Sequence, residues 1–341
     1  FRYSARDLAV LRGQRSEVAV VLGSATPSME SLVDVQAGRF THLQLMERAG
    51  GATMPQVQTI DMRAHRGGVA LSTTLLIEMR AALARGEQTL LFVNRRGFAP
   101  ALLCLECGYV HECRRCDAKM VVHRQSARLQ CHHCGAAGRI PKRCAKCNSE
   151  SLRPVGVGTQ RLEEELTELF PDAAIERIDR DSTRTATALA ERLKRASSGA
   201  AHILVGTQML AKGHHFPGVT LVGILDADSG LFSTDFRAPE RLAQLIVQVA
   251  GRAGRAERAG TVYIQTHQPE HPLLRMLIAG SYAHFAGEVL REREAAQFPP
   301  FAALALVRAE ANQRQACVDF LAAVAERARA LGTQVMALGP V

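Results

Sequence analysis

The chain has 341 residues, 47% hydrophobic and 22% charged, which is ordinary for a globular protein and enough for two or three domains with ample core. Its net charge of +9 and pI near 9.4 favour a polyanionic partner, nucleic acid first, although the 37 arginines among 42 basic residues also fit a genome-wide bias in base composition. No apolar run approaches the length of a membrane span and no targeting segment opens the chain, so a membrane protein and a disulfide-stapled secreted scaffold are not expected.

In chain order, short β-branched runs alternate with amphipathic helices. Residues 18–22, 89–93, 174–178, 203–205, 220–225 and 261–265 read as buried strands. Leu162, Leu166, Leu169 and Phe170 share one helical face, as do Leu242, Leu245, Ile246 and Val249. This alternation predicts parallel α/β sheets with right-handed crossovers, whose ligands gather on loops at the carboxyl ends of strands. From about residue 298 the pattern changes to Pro299-Pro300, a short strand and an alanine-rich helix, as at the start of another domain. The chain begins at Phe1 and stops at Gly339-Pro340-Val341, so it is expected to be a fragment.

Between the strand at 89–93 and a glycine turn at 156–158 lie eight of the nine cysteines, in four Cys-x-x-Cys pairs: Cys104/Cys107, Cys113/Cys116, Cys131/Cys134 and Cys144/Cys147. Each such turn chelates one ion with two thiolates, and two turns complete a closed tetrahedral set, so four turns predict two zinc ions. Only residues 108–112 separate the first two turns, short for facing them together. The inner four (Cys113, Cys116, Cys131, Cys134) are spaced by residues 117–130, close to the usual ribbon spacing. A nested arrangement is therefore expected, with Cys104, Cys107, Cys144 and Cys147 as the outer set. A redox pair needs one Cys-x-x-Cys opening a helix, not four in tandem. His111, His123, His132 and His133 read as surface or DNA-facing groups, and Cys317 as a small core residue.

The helix carrying Leu242 ends in Gln248-Val-Ala-Gly251-Arg252-Ala-Gly254-Arg255. Two arginines three apart suit a transferring γ-phosphate, where planar guanidiniums stabilise developing charge. Gly206-Thr207-Gln208-Met-Leu-Ala-Lys212-Gly213 follows the strand at 203–205, and Gly23-Ser24-Ala25-Thr26-Pro27 follows the run at 18–22. In this order the three sites resemble motifs III, V and VI of superfamily 2 helicases. With the cysteine insertion after Leu90-Leu-Phe-Val-Asn94-Arg95-Arg96-Gly97, and with Arg2-Tyr3-Ser-Ala-Arg6-Asp7, Arg177-Ile-Asp179-Arg180-Asp181 and Asp235-Phe236-Arg237, the chain is similar to the primosomal replication-restart helicases over essentially its whole length.

That resemblance implies two RecA-like lobes and the nested zinc pairing. Residues 1–48 would end the first lobe, and 49–103 would be the linker and the start of the second lobe. Residues 104–147 would be a two-zinc insertion, 148–296 the rest of the second lobe, and 297–341 the start of a further α+β domain. Gln248, Arg252 and Arg255 would face ATP and its Mg²⁺ beside Gly213, the arginines acting as fingers. Ser24, Thr26, Thr207, Gln208 and Lys212 would serve the DNA site. The implied activity is ATP-dependent 3′→5′ unwinding at stalled or repaired forks in the cytoplasm. Implied partners are forked and single-stranded DNA, single-stranded DNA-binding protein and other primosome proteins, including the replicative helicase loader. No Gly-x₄-Gly-Lys-Ser/Thr loop and no Asp-Glu-x-His occurs. The family carries both upstream, so this chain alone is expected not to hydrolyse ATP. The alternative is a non-enzymatic zinc adaptor that binds DNA or protein.

Overall fold

The structure is a computed structural model, and it describes residues 4–45, 55–65, 70–93, 101–115, 119–123, 128–131, 135–154, 159–179, 182–183, 185–207, 210, 216–232, 235–251, 260–279, 282–332, 335–337 and 339. Helices α1 (Ala5–Arg15) and α2 (Met29–Gln36) come first, followed by β1 (Gln56–Asp61), α3 (Thr73–Ala84) and β2 (Gln88–Val93). Five short strands come next: β3 (Leu102–Cys104), β4 (Val121–His123), β5 (Arg128–Gln130), β6 (Ala137–Arg139) and β7 (Leu152–Pro154). Alternation resumes with α4 (Thr159–Leu169), β8 (Ile175–Ile178), α5 (Ala186–Ser197), β9 (Ile203–Gly206) and β10 (Val219–Leu225). After these come α6 (Asp228–Leu231), α7 (Ala238–Ala250), β11 (Thr261–Thr266), α8 (Pro272–Ile278), α9 (Tyr282–Ala295) and α10 (Arg314–Ala330).

Six strands form one sheet in the order β1-β11-β10-β2-β9-β8, every neighbouring pair parallel. The side-chain period of two sorts its residues between two faces. Leu90 and Phe92 of β2 enter one core with Leu204, Val222, Ile224 and Ile264, beneath Leu242, Leu245, Ile246 and Val249 of α7 and Phe285 of α9. Leu91 and Val93 enter the other, with Val205 and Leu225, beneath Leu75 and Met79 of α3 and Leu162 and Leu166 of α4. This is a RecA-like lobe, and five of the six expected strands stand in its sheet. The sixth strand, β1, was not expected: Ile60 is its only buried residue, too faint a signal for a strand.

Between β2 and α4 the chain leaves the sheet. β3 and β7 run antiparallel, with Leu102 opposite Pro154 and Cys104 opposite Leu152, so the excursion returns beside its own exit. Its interior holds a second antiparallel sheet, β4-β5-β6, over Leu102, Cys113, Met120, Val122, Leu129 and Cys131.

Three expectations fail. Residues 18–22 form no strand, and Val18 and Val21 are 60% and 86% exposed, because no neighbouring strand among the described residues takes their backbone groups. Residues 303–311 likewise lie outside regular structure, with Leu304, Leu306 and Val307 exposed, so among the described residues α10 is the one regular element after Pro300. Cys317 is half-buried on α10 and is not a core residue.

Candidate functional site

The cysteine excursion is built from a repeated turn. In three of the four turns the residue after the second cysteine, Gly108, Gly135 or Asn148, has positive φ (71°, 71° and 61°), a region where glycine and asparagine cost least. Its N–H donates to the carbonyl of the first cysteine: Gly108 to Cys104 at 2.9 Å, Gly135 to Cys131 at 3.0 Å and Asn148 to Cys144 at 3.0 Å. These turns aim two thiols at one point and free N–H groups toward sulfur, as in Lys146 to Cys144 Sγ and Arg115 to Cys113 Sγ, both 3.4 Å.

Cys104, Cys107, Cys144 and Cys147 converge, all four Sγ atoms within 4.8 Å of one another. Cys104 and Cys147 are 3.6 Å apart, as are Cys107 and Cys144. A tetrahedron with Zn–S bonds of about 2.3 Å has edges of about 3.8 Å, so the quartet fits a closed Cys₄ zinc site with no open position for chemistry. The thiols differ in readiness to ionise. Burial and neighbouring thiols push Cys107 up to about 12. At Cys144 burial acts the same way, but N–H groups of Cys147 and Lys146 outweigh it and bring the thiol down to about 7. Of the inner quartet, Cys113 and Cys131 are buried together in the module core. Cys116 and Cys134 lie outside the described residues, as do His132 and His133.

The module sits on the carboxyl edge of the large sheet. Gly108 meets the chain after β11: Gln268 Nε2 donates to its carbonyl at 2.5 Å. Beside this contact Phe232, at the end of α6, packs with Ala101, Leu103 and Val110 of the module. The ammonium of Lys119 stands 5.9 Å from the Phe232 ring. Behind the seam, Asp228 accepts from the Thr266 hydroxyl and from His267 N at 2.9 Å, and His267 Nδ1 lies 2.8 Å from the same carboxylate. Asp226, in a left-handed conformation (φ 59°), has its carboxyl pushed well above the ordinary range, by burial first and by Asp228 second.

Of the remaining expected site residues, Ser24 is exposed and its hydroxyl accepts from Thr26 N at 3.0 Å, while Thr26 is buried. Neither caps α2, since Ser28 does so by accepting from Ser31 N. Thr207 is half-buried directly after β9. Gln248 is half-buried in the last turn of α7, which ends at Gly251. Gln208, Lys212, Gly213, Arg252 and Arg255 lie outside the described residues. The structure brings Thr26 and α7 together: Gln244 Nε2 reaches the Thr26 carbonyl at 3.5 Å, one turn before Gln248. Sequence reasoning missed Gln244, together with Glu240 and Tyr282, which meet Met29 and Pro27, and Arg293, which holds Glu240; these groups follow no motif. It also missed Gly108, whose signal is a glycine directly after a knuckle cysteine.

A parallel RecA-like lobe that bears on its carboxyl edge a cysteine-rich module, with an outer quartet that fits zinc, is the class of protein this structure defines. Residues 157–257 match the helicase conserved C-terminal domain, and residues 113–139 match the PriA DNA helicase Cys-rich region domain. The replication restart protein PriA of Haemophilus influenzae is 49% identical over 326 residues, which are 96% of this chain and 45% of that protein. PriA of Bacillus subtilis is 43% identical over 309 residues (90% of this chain, 38% of that protein), and PriA of Treponema pallidum is 39% identical over 338 (99% and 50%). The solved structure of RecG bound to a three-way DNA junction covers 75% of this chain and 25% of its own, at 11% identity and a TM-score of 0.42. The chain belongs to the PriA family. It spans half or less of the length of the relatives named here.

Proposed function

We propose that the protein to which this chain belongs is an ATP-dependent 3′→5′ DNA helicase that recognises stalled or repaired replication forks and initiates primosome assembly. The observation that carries this reading is the seating of the Cys-rich module on the carboxyl edge of the helicase-domain sheet, the edge where α/β folds place their ligands. The chain supplies the side of the nucleotide cleft that senses γ-phosphate, through Gln248, Arg252 and Arg255, beside Gly213. Ser24, Thr26, Thr207, Gln208 and Lys212 serve a phosphate-tracking DNA path, so binding is salt-sensitive and tolerant of sequence. Two zinc ions hold the module, one on Cys104, Cys107, Cys144 and Cys147 and the other on Cys113, Cys116, Cys131 and Cys134. They supply rigidity, and the module's own surface meets DNA or a partner. Single-stranded DNA-binding protein and the loader of the replicative helicase are the partners of this reading, and the cytoplasm its compartment. This chain alone does not hydrolyse ATP.

The deciding experiment replaces Arg252 and Arg255 by alanine in the intact protein. Loss of ATP-driven unwinding with DNA binding retained supports the motor. Unwinding at the wild-type rate removes the arginines from the motor's mechanism, and a wild-type protein that binds DNA without unwinding it supports the zinc adaptor instead.

A further inference from the structure

Helix α7 is gripped over its N-terminal half by groups belonging to distant parts of the chain. Its C-terminal turn carries Gln248, and its N-terminal half holds the segment 26–29. The first backbone N–H of α2, at Met29, has no partner within its own helix, and Glu240 Oε1 accepts it at 3.2 Å. A carboxylate at a helix N-terminus is also favoured by the helix dipole. Tyr282 of α9 donates its hydroxyl to the Pro27 carbonyl at 2.7 Å, and Gln244 makes the long contact to Thr26. The Met29 side chain is wholly buried in the core under α7. Glu240 does not move freely, because its other oxygen is held by Arg293 at 2.8 Å and both side chains are less than 10% exposed. Arg293 in turn donates to the carbonyls of Phe236 and Pro299, at 3.3 and 3.4 Å, and lies over the Phe236 ring. Burial pushes the Tyr282 hydroxyl up to about 12, so it remains a donor at any working pH.

We propose that Glu240, Gln244 and Tyr282, with Arg293 bracing Glu240, are positioning residues that clamp segment 26–29 to α7. Displacement of that segment and displacement of the Gln248 end of the helix are then one rigid motion. The inference rests on the helicase reading, and it names side chains outside the three motifs as the physical link between Thr26 and the nucleotide-facing helix end. No strand or loop between residues 30 and 237 is needed to carry the coupling. The chain after residue 297 joins the same block through Pro299.

The test uses the intact protein with Tyr282→Phe combined with Gln244→Ala, which removes two contacts to the segment and leaves the buried Glu240–Arg293 pair whole. Three quantities are read: ATP hydrolysis without DNA, its stimulation by single-stranded DNA, and duplex unwound per ATP. The expected result is a fall of about five-fold in stimulation and in unwinding per ATP, the scale of one lost hydrogen bond, since at 3.5 Å the Gln244 contact adds little to the Tyr282 one. Hydrolysis without DNA, DNA affinity and melting temperature stay near wild type. Unchanged stimulation and unwinding overturn the clamp, as does a fall in melting temperature without a change in coupling. A wild-type protein that does not unwind DNA overturns the helicase reading itself, which separates the two failures.

Discussion

Gly108 lies so close to His267 that a β-carbon at position 108 would stand 2.5 Å from the His267 carbonyl oxygen and 2.6 Å from Gln268 Nε2. The φ of 71° at Gly108 adds a second constraint, since L side chains seldom adopt it. Gly108→Ala therefore strains the turn and opens the seam between module and lobe, at a cost of about 1–3 kcal/mol. The expected signature is faster amide exchange around residues 104–112 and 266–268 with zinc content unchanged. Exchange at wild-type rates in both segments contradicts this account of the seam.

The thiol quartets make a countable prediction. Elemental analysis of the chain gives two zinc ions, and Cys144→Ser and Cys131→Ser each remove one. Only the first also loosens the Gly108 turn. Metal is released by chelators and as pH falls, because ligand thiolates must be deprotonated. A wild-type value near one zinc per chain removes the nested pairing.

Arg293→Met leaves the Glu240 carboxylate buried without its cation, and a loss of about 3–5 kcal/mol in unfolding free energy follows. Glu240→Leu combined with Arg293→Met recovers much of that stability, because an apolar pair needs no compensation. It does not recover the Met29 contact. Chemical denaturation of the four proteins of this double-mutant cycle measures the coupling.

Asp179, directly after β8, is held in its charged form by the folded state. Burial opposes its charge, but the Thr159 hydroxyl at 2.7 Å, Ser182 N at 2.8 Å and nearby Arg177 outweigh it and hold the carboxyl below its ordinary 3.8. A depressed folded-state value means that the stabilisation is fully present above the unfolded value and disappears as pH falls through the folded one. Asp179→Asn is expected to lower stability at neutral pH and to flatten the acid limb of the stability profile. Parallel profiles for the two proteins below pH 4 exclude this role.

What could be read from the chain follows from where physical signal is local. Residues 89–93 announce a strand because both faces of β2 are buried and every position is apolar or small. The run at 18–22 looks equally strong, yet lies exposed, since apolar pattern reports a wish for cover and not the presence of a neighbour to provide it. β1 was hidden for the opposite reason: it draws its place from hydrogen bonds to β11, and a half-polar edge strand needs little apolar pattern. Among site residues the cysteines were legible because chelation demands fixed spacing within a few residues. The Glu240–Arg293 pair obeys no spacing at all, joining two helices whose adjacency only the folded core decides.

The pairing of β1 with β11 sets the order in which the lobe is assembled during translation. Gln56 lines up with Thr261, so the first strand of the sheet leaves the ribosome long before its partner exists. Until then the nascent chain presents an open edge and the apolar faces of α3 and β2 to its surroundings. The cysteine excursion, whose two ends close on each other through β3 and β7, needs nothing beyond residue 154 to gather its outer thiols. It is thus able to take up metal while the sheet beneath it is still waiting for its last strand.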